Sequence, residues 1–310
     1  MPGARPYGRR SPPPAARRMS DRLPLATRLK LGMARAVFAT GSRLAPERTA
    51  HRAARLFATP LASSRSRAQA AHADGDLRRG QLRVGEHTIA TYVWGDPASQ
   101  PYVLLVHGWS SFGLRFLPWV ARLRAQGHAV VAFDQPGHGF SSGTLCTLPT
   151  FIDTVRAVGS HYGEAALVVA HSLGGAAAVL AQGEAWRARR CLLVAPVADL
   201  RAAARRFFRF MRLDATLETA FFAWFRQRTG IHVDELAVTP RLHAFTQPCL
   251  IVHDRDDSDV PWHEGEHYAR HWPGARLLTT HGLGHHRVLE APEVIDAALA
   301  FARGDNLADA

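Results

Sequence analysis

Cysteine is scarce: Cys146, Cys191 and Cys249 are the only three in 310 residues. Three scattered thiols do not make a disulfide framework. Cys191 and Cys249 sit in apolar, strand-like runs, where a small buried thiol is the ordinary reading. No window of about 18 uninterrupted apolar residues occurs, so no transmembrane helix is predicted. No apolar stretch of about 7–15 residues follows the first basic residues, so no secretory signal is expected there. Lysine is nearly absent as well. Lys30 is the one lysine among 38 cationic residues, a skew that reads as GC-rich coding bias and carries no function. What remains is ordinary: 47% apolar and 21% charged residues exclude fibrous, collagen-like and wholly disordered classes.

The net charge of +12 is unevenly spread. Residues 1–80 hold 17 Lys+Arg against 4 Asp+Glu, and residues 81–310 hold 21 against 22. The body is therefore nearly neutral and the excess lies in a basic N-terminal arm. That distribution speaks against a nucleic-acid-binding fold. Residues 1–18, rich in Pro, Arg and Gly, carry too little apolar surface to order themselves. Over 21–60, Leu25, Leu29, Met33 and Val37 recur on one side, followed by Ala54, Phe57 and Leu61. This spacing predicts one or two basic amphipathic helices. Such helices either pack on the body with their Arg face in water, or touch an acidic membrane surface. The expectation is a cytoplasmic protein whose arm packs on the body, with peripheral membrane contact through the arm as the alternative. Residues 63–76 read as a polar linker, and 304–310 as a tail.

From residue 81 strand-like and helical stretches alternate. Strands are expected at 87–94, 102–107, 128–133, 166–171, 190–195, 248–253 and 275–280, and helices at 114–126, 150–162, 173–186 and 291–303. The pattern predicts an α/β fold, a mostly parallel, doubly wound sheet covered on both faces. Residues 198–247 break the alternation with a helical insert holding Phe207, Phe208, Phe210, Phe221, Phe222, Trp224, Phe225 and Phe245. It reads as a lid lining an apolar pocket, with Phe221, Phe222, Trp224 and Phe225 as pocket residues. The alternative is ordinary helix packing.

Three motifs carry chemistry. Ala170-His171-Ser172-Leu173-Gly174-Gly175 follows an apolar strand and opens an Ala-rich helix. A serine on such an elbow presents its hydroxyl at the sheet edge, and small neighbours permit the turn. The common pattern has Gly where this chain has Ala170. The plainer reading is a serine N-cap. Val106-His107-Gly108-Trp109 follows an earlier strand. Acyl transfer needs two backbone N–H donors for the developing oxyanion; Leu173 and Trp109 are the candidates. Asp134-Gln135-Pro136-Gly137-His138-Gly139 forms a tight loop, with Asp134 expected to bond backbone rather than react.

These motifs, in this order, resemble the α/β-hydrolase fold superfamily over about residues 81–303. The resemblance implies a triad in the order serine, acid, histidine. It places the acid four residues before Pro261, which selects Asp257 from Asp254, Asp256, Asp257 and Asp259. It places the base in Gly284-His285, with His286 as rival. A serine elbow is similar to the esterase, thioesterase and lipase branches, and unlike dehalogenases and epoxide hydrolases, whose elbow carries Asp. The implied activity is hydrolysis of a small-molecule ester or thioester with an apolar acyl part, through Ser172, Asp257 and His285, with no cofactor. An acyltransferase or perhydrolase on the same triad, and a non-catalytic binding protein, are the alternatives. His263-Glu264-Gly265-Glu266-His267 satisfies the H-E-x-x-H zinc pattern. It lies on an expected outer helix that contains a Gly, so no metal is expected.

Overall fold

The apolar runs expected as strands lie side by side in a computed structural model, which describes residues 25–73 and 75–304. The expectations for residues 1–18 and 305–310 fall outside the described residues. The arm contributes three helices: α1 (Leu25–Leu44), α2 (Pro46–Phe57) and α3 (Ser63–Ala70). Then come β1 (Arg78–Val84), β2 (His87–Trp94), β3 (Tyr102–Val106), α4 (Leu117–Ala125) and β4 (Ala129–Phe133). The middle of the chain supplies α5 (Leu148–Tyr162), β5 (Leu167–His171), α6 (Leu173–Ala181) and β6 (Cys191–Val194). The insert follows as α7 (Leu200–Met211), α8 (Glu218–Thr229) and the short α9 (Thr239–Leu242). The chain closes with β7 (Cys249–Asp254), α10 (Trp262–His271), β8 (Arg276–Thr280), α11 (Gly284–Arg287) and α12 (Pro292–Arg303).

One eight-stranded sheet results, in the order β1-β2-β4-β3-β5-β6-β7-β8. β1 and β2 are antiparallel, β2 meets β4 antiparallel, and the strands from β4 to β8 run parallel. The central strands are buried on both faces, which is why their sequences do not alternate in polarity. In β3, Tyr102, Leu104 and Val106 belong to one core and Val103 and Leu105 to the other. β4 divides likewise, with Val131 and Phe133 against Val130 and Ala132.

Two boundaries differ from expectation. The sheet starts at Arg78, so the divide placed at residue 81 falls inside β1. β1 reads Arg-Arg-Gly-Gln-Leu-Arg-Val and is mostly exposed, so it lacks the apolar signal of its neighbours. The segment expected as a polar linker contains α3, whose Ser64 and Ala68 are buried.

The arm packs on the body. Phe38 of α1 and Ala50, Ala53 and Ala54 of α2 form a third core with Phe208, Met211, Leu217, Phe221 and Trp224 of the insert. Alanine is what lets α2 approach a wall of aromatic rings closely. The face that α1 turns inward is Leu31, Ala34 and Phe38, not the expected stripe of Leu29, Met33 and Val37, which is exposed. Arginines then tie the arm to two loops of the sheet edge. Arg65 donates to the carbonyls of Gly139, Ser141 and Gly143. Arg67 donates to the Ser110 carbonyl, and the Leu61 amide to Ser110 Oγ.

Candidate active site

The turn between β5 and α6 has to be sharp. Ser172 takes φ 56°, ψ −125°, a left-handed conformation that a side chain adopts only under constraint. Its amide donates to the Val194 carbonyl, and its carbonyl accepts from Gly175 and Val197. Close approach explains the glycines around it. A Cβ on Gly174 would lie 2.5 Å from the His107 carbonyl oxygen. A Cβ on Gly108 would lie 2.8 Å from Ser172 Cβ. The end of β3 therefore rests directly against the elbow. Ala170, where the pattern has Gly, is fully buried inside the sheet.

Ser172 makes no N-cap bond to α6; its hydroxyl is turned to a histidine instead. Ser172 Oγ lies 3.0 Å from His285 Nε2, and His285 Nδ1 lies 2.7 Å from Asp257 Oδ2. The second Asp257 oxygen accepts from the amides of Asp259 and Val260 at 2.8 and 2.9 Å. His253 Nε2, which donates to the Val260 carbonyl, also lies 3.4 Å from Asp257 Oδ2. Burial alone would raise the Asp257 pKa. Hydrogen bonds from His253 and His285, the charge of His285 and the Val260 amide outweigh it and hold the carboxyl well below the usual carboxylate range. An ionised Asp257 fixes the His285 ring with Nδ1 protonated and Nε2 facing the serine.

The competing residues have other partners. Asp254 accepts from the Leu283 amide and Thr280 Oγ1, bracing the loop that carries His285. Asp256 accepts from the Gly282 amide. His286 is exposed and lies 3.6 Å from Asp259. Asp134 is fully buried and accepts from the Gly113 and Phe140 amides and the Tyr92 hydroxyl. In the H-E-x-x-H segment, Glu264 is buried, pairs with Arg206 and accepts from the Ala198 amide. His267 bonds Thr239 Oγ1. Among the described residues, no group of three or more His, Cys, Asp or Glu side chains could hold a metal ion.

Ser172 and His285 open onto a cavity of about 680 Å³. Trp109 and Leu173 line its floor; Phe207, Phe210, Phe222 and Phe225 of the insert wall it. Two expected pocket residues are elsewhere. Phe221 is fully buried, packed edge-on against Phe208 and Phe222, and Trp224 belongs to the same arm–insert core. On one helix, adjacent aromatics cannot face the same way, so α8 sends Phe222 and Phe225 to the cavity and Phe221 and Trp224 to the arm. Phe57 was not expected there, yet it also lines the cavity, together with Arg206 and Arg209. Its place at the end of an arm helix gives no local clue, since only the long-range packing of α2 on α8 brings it in.

Three histidines beneath the site are buried and neutral. The His107 pKa is lowered to about 4 by burial, that of His138 to about 3 by burial and the charge of His107, and that of His171 well below its ordinary value by burial and the charge of His285. Their rings serve the backbone. His107 Nε2 accepts from the Gln135 amide, His138 Nε2 from the Ser110 amide, and His171 Nε2 donates to the His285 carbonyl. The unfolded chain, with histidine pKa about 6.5, takes up protons that the native state refuses. Stability from these groups is full above pH about 6.5 and is lost as pH falls below it, by at most ~1.4 kcal/mol per pH unit for each group. The urea midpoint should therefore be clearly lower at pH 5 than at pH 7.5. An unchanged midpoint would contradict the neutral assignment.

Relatives agree with this architecture. Solved structures of similar fold include a thermophilic esterase from Thermogutta terrifontis, 20% identical over 73% of this chain and 98% of that one, with TM-score 0.56. A thioesterase domain from the curacin biosynthetic pathway is 19% identical over 74% of this chain and 100% of that one, with TM-score 0.54. A membrane phospholipase A, titled a bacterial virulence factor, is 19% identical over 91% of this chain and 99% of that one, with TM-score 0.56. At these identities the likeness is one of fold. No match is found among curated proteins. Residues 103–298, well over half of the chain, match the Alpha/beta hydrolase family; the protein is a member of that family.

Proposed function

We propose that the protein hydrolyses carboxylic esters or thioesters with an apolar acyl part, through an acyl-enzyme on Ser172. The observation that carries this reading is the unbroken Ser172–His285–Asp257 relay opening onto a cavity walled by aromatic rings. Ser172 Oγ attacks the carbonyl carbon while its proton passes to His285 Nε2. The carbonyl π electrons move to oxygen, which becomes an oxyanion. Leu173 and Trp109 are suited to hold it. Both flank Ser172, and neither amide N–H is used in the hydrogen bonds among the described residues. The N-terminal end of α6 adds a favourable dipole. The intermediate then collapses, and His285 gives the proton to the departing alcohol or thiol. Water, activated by the same imidazole, attacks the acyl-enzyme and releases the acid. The insert serves as a lid over the acyl chain, and Asp257 orients the ring throughout.

An ester panel of graded acyl length tests this. Phe222→Ala and Phe225→Ala should change the chain-length profile. Each methylene that loses its contact costs at most ~0.8 kcal/mol, or about fourfold in kcat/KM. Phe221→Ala and Trp224→Ala should instead lower stability by roughly 3–5 kcal/mol, as for large core deletions. A profile indifferent to Phe222 and Phe225 would place the acyl chain elsewhere, and a wild-type enzyme inert on every ester and thioester would defeat the reading.

A further inference from the structure

Helix α1 is apolar on two opposite sides. Leu31, Ala34 and Phe38 face the protein. Around the helix from them, at i, i+4, i+8 and i+15, stand Leu29, Met33, Val37 and Leu44, exposed by 62%, 69%, 53% and 80%. At 100° per residue these four share one face. The described chain exposes seven large hydrophobic side chains, and only Phe140 of them lies outside residues 29–61. Scattered exposed apolar residues need no explanation, but a contiguous helical stripe does.

The surroundings of the stripe are basic. Residues 25–70 hold nine Lys+Arg and one carboxylate, Glu47. Arg28, Lys30 and Arg43 on α1, and Arg48, Arg52 and Arg55 on α2, form no ion pair among the described residues. A groove between the two helices sets Arg48 and Arg52 beside Val37 and Thr40. Exposed apolar side chains with cations at their flank are the build of a helix that lies in a membrane interface. No described helix is long and apolar enough to cross a membrane. A second copy of this chain would bring one strongly basic face against another, which like charges oppose.

The structure assigns this face to an anionic lipid bilayer surface: Leu29, Met33, Val37 and Leu44 enter the acyl boundary, and the unpaired Arg and Lys side chains of α1 and α2 hold lipid phosphates. The anchor is rigidly joined to the rest of the molecule. Arg35 Nε donates to the Phe210 carbonyl at 2.9 Å, and Phe210 walls the cavity. Docking of α1 thus fixes the orientation of the cavity to the bilayer. The assignment does not rest on the proposed ester chemistry.

The test is co-sedimentation of the full chain with phosphatidylcholine vesicles, with or without about 30% phosphatidylserine. The protein should partition at least about tenfold better to the anionic vesicles, and the preference should vanish near 0.5 M salt, where the Debye length is only about 4 Å. Two double variants, Met33→Glu/Val37→Glu and Arg48→Glu/Arg52→Glu, should each lose about tenfold or more in binding. Both alter exposed side chains remote from Ser172, so turnover of a soluble short-chain ester and the melting temperature should stay at the wild-type value. Failure of the wild type to bind anionic vesicles would overturn the assignment. So would binding that neither variant weakens. A wild-type dimer that Met33→Glu/Val37→Glu converts to a monomer, with no lipid binding, would give the face to a second copy.

Discussion

Ser172→Ala should lower kcat on a soluble short-chain ester by roughly 10³-fold or more. Among the described residues, the Ser172 hydroxyl is the hydrogen-bond partner of His285 Nε2, at 3.0 Å. The proposed oxyanion donors, Leu173 and Trp109, would remain, so a small residual rate over water should persist. The variant should fold normally. Alanine takes the same left-handed turn at φ 56° as serine does, and the elbow's backbone bonds to Val194, Gly175 and Val197 do not involve the hydroxyl. A purified, folded variant with more than about a tenth of wild-type kcat, a loss under ~1.4 kcal/mol, would place the nucleophile elsewhere.

His285→Ala should be comparably damaging, because it removes the proton acceptor and leaves the Asp257 carboxylate buried without its imidazole. Residues that act as one relay are not additive, so Ser172→Ala/His285→Ala should be about as slow as either single change. His286→Ala should cost less than about threefold: its exposed contact with Asp259, at 3.6 Å, is of a kind worth ~0–1 kcal/mol, and its ring lies beside that of His285 at 5.2 Å, while Ser172 Oγ faces His285 Nε2. Steady-state kinetics on the three variants distinguish the two histidines. The reverse order would move the base by one residue.

The sheet was legible wherever burial on both faces leaves an unmistakable run, as in Val103-Leu104-Leu105-Val106 and Leu167-Val168-Val169-Ala170. The elbow was legible because its constraints are local: a backbone turn, a helix start, and glycines where β3 approaches. Asp257 and His285 needed the family's spacing, since four aspartates and two histidines compete in their loops. Only the structure shows that Asp254 and Asp256 hold backbone amides. Less could be read where long-range packing decides. Phe221, Phe222, Trp224 and Phe225 form an almost continuous aromatic run, and its two faces are sorted by α2 lying against α8 more than 150 residues away in sequence. For the same reason Phe57 entered the cavity unannounced. In α1 the periodicity of Leu29, Met33 and Val37 was real, but a second apolar face at Leu31, Ala34 and Phe38 took the packing surface. β1 was missed because an exposed edge strand carries arginines in place of a core face.

In the proposed mechanism the acyl group rests on Ser172 Oγ, with His285 drawing its proton. Intact-mass spectrometry after treatment with an alkyl fluorophosphonate reads this directly, because the reagent traps an activated serine and leaves the adduct in place. The wild type should gain a single adduct, mapped by peptide digestion to Ser172. Ser172→Ala should gain none, and His285→Ala should label at least about 10²-fold more slowly, the usual scale of a general base. An adduct on another residue, or a wild type that turns over esters yet takes no label, would contradict the account.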